Sequence, residues 1–317
     1  MLYTADLLRS IFLVAVAGVV LFFYGKEKLK PSVALVIIGV LIVGDLVLVD
    51  RRYVNDSNFV AAHVMANPFE ATPADKQILS DPGHYRVFDM QGGFNSARTS
   101  YFHNSLGGYH AAKPRRIQQI MDYQIGARNN MEMLNMMNVK YILRKDEKGQ
   151  DIPLVNPNAH GNAWFVNQVI KVSSADEEMK KLDSINTKSQ AVLNVKEFAS
   201  VEVKHNYSVD SLASIQLVAV KPNELVYQSN NSAEGLAVFS EAYYPKGWQV
   251  TGDGEKVNMF QVDYVLRGLV LPQGKHEISF TFEPEVVKTG SRIALVSVIL
   301  LIGLSLAAIF WQVKMRK

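Results

Sequence analysis

The sequence predicts a membrane-anchored α+β protein with three transmembrane helices, a mixed α/β part and a C-terminal antiparallel β-sandwich. Three observations carry this. Residues 293–313 hold only Ser297, Ser305 and Gln312 as polar side chains. That run is long enough to cross a bilayer core, which takes about 20 apolar residues at ~1.5 Å rise each. Two further apolar runs, about 7–24 and 32–49, stand at the other end of the chain. Between them lies sequence with soluble patterning: helix and strand periods first, then strands at short spacing.

The first run is continuous over 11–24, and Leu7 and Leu8 extend it past Arg9. A cleaved secretory signal is the competing reading. Its basic start is Arg9 alone, opposed by Asp6, and the apolar run continues past the one small-residue site, Ala15-Val16-Ala17. A membrane span is therefore favoured. Pro31 opens the second run, where its missing N–H has no helical partner to lose. Lys26, Lys28 and Lys30 lie between the two runs. Trp311 precedes a tail containing Lys314, Arg316 and Lys317. Both basic clusters read as cytoplasmic, which leaves the large middle region outside the cytoplasm. The first span would then begin outside, as expected if further helices precede Met1. Asp45 falls inside the second run, where an ionisable group costs about 3 kcal/mol in lipid unless it faces protein or water. A pathway or lipid-phosphate role is one reading. Its closeness to Asp50, Arg51 and Arg52 favours the other, a residue near the outer interface.

The expected organisation is a transmembrane hairpin over 1–50, an extracytoplasmic α/β region over 51–198, the β-sandwich over 199–289, and a final span with basic tail over 290–317. The formal net charge is +3. The lysine loop supplies +2 and the tail +3, so the remainder is about −2. The basic excess belongs to the membrane flanks, and no nucleic-acid surface is indicated. The chain contains no cysteine, which excludes disulfides, thiolate metal sites and thiol catalysis without deciding the compartment.

In the α/β region, short helices are expected before Asn67-Pro68, over 75–79, 117–123 and 131–137. Strands are expected over 85–88, 139–143, 163–166, 169–172 and 191–193. Ser174 should cap a helix over 174–182 whose first turn carries Asp176, Glu177 and Glu178. From 200 onward, strands are expected at 201–203, 214–220, 225–227, 236–239, 262–271 and at the end. Asp253-Gly254 marks a hairpin turn, and Ile278, Phe280 and Phe282 share one face of the last strand.

The best site candidate is the stretch 101–116. Its residues are Tyr101, His103, Tyr109, His110, Arg115 and Arg116, set among Gly107 and Gly108. Rings can stack on sugars, glycines admit close backbone approach, and paired guanidinium groups can fork onto phosphate. The alternative is a structured loop with packed rings and solvated arginines. Trp248, with Tyr243 and Tyr244, is either a carbohydrate platform or the plug of a sandwich core, and the plug is favoured. His103 and His110 lack a third ligand at metal spacing, so no metal is expected. No phosphate-binding loop, nucleophile elbow or zinc-protease motif occurs, and no cofactor is implied.

Several segments, in order, resemble the YfhO family of bacterial membrane proteins. They are Tyr101-Phe102-His103-Asn104-Ser105-Leu106-Gly107-Gly108-Tyr109-His110, then 134–143, Ala163-Trp164-Phe165-Val166, Tyr243-Tyr244-Pro245-Lys246-Gly247-Trp248, 263–268 and 271–276. The resemblance implies a GT-C-like glycosyltransferase of the bacterial plasma membrane. Such an enzyme moves sugar from a polyprenyl-phosphate carrier to a cell-envelope polymer. It also implies a catalytic carboxylate in an early outer loop that has no counterpart here, so no catalytic residue is assigned. The expected partners are the lipid bilayer, the lipid-linked sugar, the envelope glycan and a further N-terminal membrane portion. The rival reading is a non-catalytic, membrane-anchored glycan-binding or envelope-assembly protein.

Overall fold

The computed structural model describes residues 2–315, so the tail residues Arg316 and Lys317 lie outside the described part. The chain divides into two compact units, Met1–Glu70 and Ala71–Lys317.

In the first unit, helix α1 (Leu2–Gly25) turns through the lysine loop into α2 (Pro31–Tyr53), and a short α3 (Ala62–Ala66) follows. Glu27 takes a left-handed conformation to make the turn. Asp45 faces α1, where its Oδ1 lies 3.0 Å from Arg9 Nε. Asp6 also pairs with Arg9 at 3.4 Å and with Arg52 at 2.6 Å. The intramembrane carboxylate thus has a protein cation as its partner, which offsets its cost in lipid.

The second unit begins with α4 (Pro73–Leu79), opened by a capping box between Thr72 and Asp75. Strand β1 (Arg86–Asp89), helix α5 (Ala97–Phe102), helix α6 (Arg115–Gln119) and a π-helical turn at Ile120–Gly126 come next. Then follow α7 (Met131–Met136), β2 (Val139–Lys145) and β3 (Asp151–Val155). Strands β1 and β2 pair in parallel and β3 adds antiparallel, with α4 packed on them through Ala74 and Ile78.

The chain continues through β4 (Ala163–Val166), β5 (Gln168–Val172), α8 (Ala175–Lys181) and β6 (Gln190–Asn194). Helix α8 has the expected cap, with Ser174 Oγ accepting from Glu177 N–H. Strands β5 and β6 form a parallel pair. The remaining strands are β7 (Ser214–Lys221), β8 (Glu224–Asn231), β9 (Gly235–Ala242), β10 (Trp248–Gly252), β11 (Glu255–Val257), β12 (Phe260–Val262), β13 (Leu266–Leu271) and β14 (Gly274–Phe282). They make two antiparallel sheets, β11-β10-β14-β8-β7 and β12-β13-β9-β4.

Alternation in these strands builds two cores. Phe165, Phe239, Leu269, Tyr227, Ile278 and Phe280, drawn from both sheets, meet in one buried cluster. The opposite faces of β4 and β9, through Trp164, Val166, Leu236 and Val238, join a larger cluster with Met133, Met136, Val192 and Leu193. Strand β4 therefore pairs with β9, far along the chain, while β5 immediately after it pairs with β6.

Two sequence expectations need correction. The run 262–271 is not one strand, because Asp263 and Tyr264 adopt left-handed conformations and separate β12 from β13. Residues 201–203 form no strand, although Val201 and Val203 do pack on the larger core. Their alternation reflects one-sided burial of an extended segment without a ladder partner.

Helix α9 (Glu285–Met315) completes the second unit. Three helices among the described residues are long and apolar enough to cross a membrane: Thr4–Gly25, Pro31–Asn58 and Glu285–Met315. At most 6% of any of their apolar windows is buried inside the protein, so their side chains require a lipid surround.

Candidate functional site

The stretch 101–116 does not act as one unit. Its first part forms the wall of a groove of about 450 Å³, bounded by the end of α4, the 81–85 turn, β1 and the segment Ser100–Asn104. The wall is fixed by backbone pairing: Val87 N–H donates to Asn104 O and Leu106 N–H to Val87 O, each at 2.9 Å. Behind it, a Cβ on Gly107 would fall 2.2 Å from the Phe94 carbonyl oxygen, so no larger residue fits.

His103 lines this groove with its side chain only 2% exposed. Its Nε2 lies 2.9 Å from Asp75 Oδ1. Asp75 is fully buried, which by itself raises its pKa. Bonds from Thr72, His103 and Arg98 more than reverse this and hold the carboxyl below its ordinary value. An ionised Asp75 only accepts, so Nε2 carries the proton donated to it. That leaves Nδ1 as the ring nitrogen not used by Asp75. Arg98 also stacks on the Phe102 ring at 5.4 Å.

Across the groove, Tyr85 shares its hydroxyl between the Ile78 and Asp81 carbonyls at 2.8 Å. Asp81 accepts from Tyr141 Oη at 2.6 Å and pairs with Lys140 Nζ at 2.5 Å. Those bonds, Lys140's first, keep the Asp81 carboxyl low. Bonding to Asp81 pushes the Tyr141 phenol up to about 12. Tyr101, 47% exposed, presents its ring at the groove and meets Phe102 edge-on at 4.9 Å. An exposed ring, a His nitrogen and the Asn104 amide here surround a space of small-ligand size.

The other predicted residues lie elsewhere. Tyr109, His110 and Arg115 are exposed beyond the groove. Arg116 turns into the protein instead of pairing with Arg115. It donates to Gln261 Oε1 at 2.7 Å, pairs with Glu197 at 2.5 Å and Glu178 at 3.4 Å, and lies 4.8 Å over the Tyr264 ring. Trp248 is half-buried, stacked on its inner face by the buried Arg267 at 4.2 Å.

Sequence reasoning missed Asp75 as the partner of His103. The Thr72–Asp75 capping spacing signals the start of α4 but not the His103 contact, which depends on the fold. It also missed a second polar cluster. There Glu132 accepts from Thr187 N–H and Oγ1–H, at 2.7 and 2.9 Å, and His160 Nε2 lies 2.9 Å from the same hydroxyl. The His160 contact, against the effect of burial and with help from Asn135 and Thr187, holds Glu132 at about 2. No group of three or more His, Cys, Asp or Glu side chains suited to a metal ion occurs among the described residues.

Long lipid-requiring helices joined to a mixed helix-and-sheet part define a membrane protein. Residues 166–294 match the family model described as bacterial membrane protein YfhO, and the match is confined to that segment. It covers β5 through β14 and the root of α9. Searches of curated proteins and of solved structures returned no match.

Proposed function

We propose that this membrane protein handles the glycan in GT-C-like sugar transfer, in which a polyprenyl-phosphate carrier gives up its sugar to a cell-envelope polymer. On this reading, the part from Ala71 to the root of α9 lies outside the cytoplasm, in agreement with the two basic clusters. The observation that carries the reading is the groove beside His103. Its exposed Tyr101 ring offers a face for a sugar, while His103 Nδ1 and the Asn104 amide offer partners for hydroxyl groups. The Asp75 contact fixes the His103 tautomer so that Nδ1 is available to accept.

The test uses the full chain in lipid nanodiscs, titrated with oligosaccharides cut from envelope polymers. Tyr101→Ala and His103→Gln should each weaken binding at least about tenfold, equivalent to ~1.4 kcal/mol. The glutamine keeps a donor for Asp75 and removes the ring acceptor. His110→Ala, outside the groove, should bind as the unaltered chain does. Unchanged affinity in both groove variants would remove the basis of the proposal.

A further inference from the structure

A second groove, of about 790 Å³, lies where the sheets meet the root of α9. Tyr244, Trp248, Phe282, Val286 and Val287 line it. Val286 and Val287 are 77% and 59% exposed, apolar surface that the protein itself leaves uncovered. The junction is tightly packed. Glu283 N–H donates to Gly247 O at 2.8 Å, and Gly247 has φ +123. A Cβ there would come within 2.7 Å of the Phe282 ring. Arg267 stacks on the inner face of Trp248, which fixes the ring from behind.

The charges around this groove are not balanced. Glu283 and Glu285 are both taken by Lys288, at 2.9 and 3.3 Å. Lys246 and Lys256, also in the lining, are exposed and have no carboxylate within ion-pair distance among the described residues. The groove therefore offers two free cations beside aromatic and apolar surface.

Its height above the bilayer follows from the helix. Val287 precedes the apolar run by six residues, about 9 Å along a straight helix. The headgroup layer on each side of the hydrocarbon is about 5–8 Å deep. The groove therefore stands at the outer edge of the headgroup layer, within reach of headgroups that extend outward and clear of acyl chains. We infer that it seats the anionic headgroup of a bulk phospholipid of the bilayer that α9 crosses, with Lys246 and Lys256 on the phosphate and the rings at the interface. This inference does not depend on the glycan reading or on which side of the membrane the domain occupies.

The absence of native cysteine allows a clean test on the full chain. Asn258→Cys at the groove and Lys148→Cys in the exposed 146–150 turn, outside the groove lining, are each labelled with a fluorophore. The proteins are then placed in vesicles of phosphatidylglycerol and phosphatidylcholine. A nitroxide on the phosphatidylglycerol headgroup should quench the Asn258 label well above the Lys148 label, whereas a nitroxide at mid-chain should not separate them. Lys246→Gln and Lys256→Gln should each raise the phosphatidylglycerol fraction needed for half-quenching about fivefold. Equal headgroup quenching at both sites, stronger mid-chain quenching at Asn258, or indifference to both lysine substitutions would each overturn the inference.

Discussion

Glu178 and Asp263 are two carboxyl groups that the fold buries at one junction. Glu178 is 1% exposed, and burial pushes its pKa from 4.5 up to about 7 despite the Tyr264 N–H it accepts and the nearby Arg116. Burial likewise raises Asp263 well above its ordinary value. One of its oxygens accepts from Val192 N–H at 2.8 Å, and the other has no partner. A raised folded-state pKa means that the fold prefers the protonated carboxyl. The stability Glu178 contributes is complete below about 4.5 and is lost as pH rises through about 7, on the order of 3 kcal/mol. The unfolding temperature of the detergent-solubilised chain should therefore fall between pH 5 and pH 8. Glu178→Gln should shrink that fall, with Asp263 sustaining the remainder, and an unaltered slope would contradict the assignment. Glu132 behaves in the opposite sense. Its folded value of about 2 means that its contribution is present above 4.5 and lost as pH drops toward 2. Glu132→Gln should reduce the loss of stability in that acid window, which Glu241 also shapes, and leave the slope between pH 5 and pH 8 unchanged.

At the scale of elements, the two antiparallel sheets depend on their shared core. Phe239 sits edge-on to Tyr227 at 4.9 Å and to Phe280 at 5.0 Å, fully buried. Phe239→Ala should cost about 3–5 kcal/mol in denaturant unfolding followed by near-ultraviolet circular dichroism. Val218→Ala, on an exposed position of β7, should stay within about 0.5 kcal/mol. The α1–α2 hairpin gives a second prediction. Asp45→Leu leaves Arg9 with only the longer Asp6 contact at 3.4 Å and should reduce membrane insertion of the hairpin, while adding Arg9→Leu should restore it. Insertion is read by protease protection of the lysine loop.

Much at this scale was legible. Continuous apolar runs located α1, α2 and α9, strand alternation and apolar runs located most strands, the Ser174 cap located α8, and Asp253-Gly254 located the β10–β11 hairpin. Strand partners were not legible, because β4 and β5 read as one continued run yet enter different sheets. The break at Asp263 and Tyr264 was hidden for a related reason. Both residues bond to distant segments, Val192 and Glu178, and those contacts rather than local propensity hold the left-handed turn. At the candidate site, Tyr101 and His103 stood out by type, but Asp75, 28 positions before His103, became visible only through the fold. Arg115 and Arg116 looked like a phosphate fork, and adjacency misled, since Arg116 is engaged by Glu178, Glu197 and Gln261.

The whole molecule combines long apolar helices with a part large enough to form its own cores, within which residues 166–294 match the YfhO family model. The central claim is that this part works outside the cytoplasm, where lipid-linked sugars meet envelope polymers. The direct measurement exploits the cysteine-free sequence again. Lys148→Cys, in an exposed turn of the second unit, is treated in intact cells with a membrane-impermeant maleimide. Labelling before any permeabilisation is the predicted result. Labelling that appears only after the membrane is opened would contradict the account.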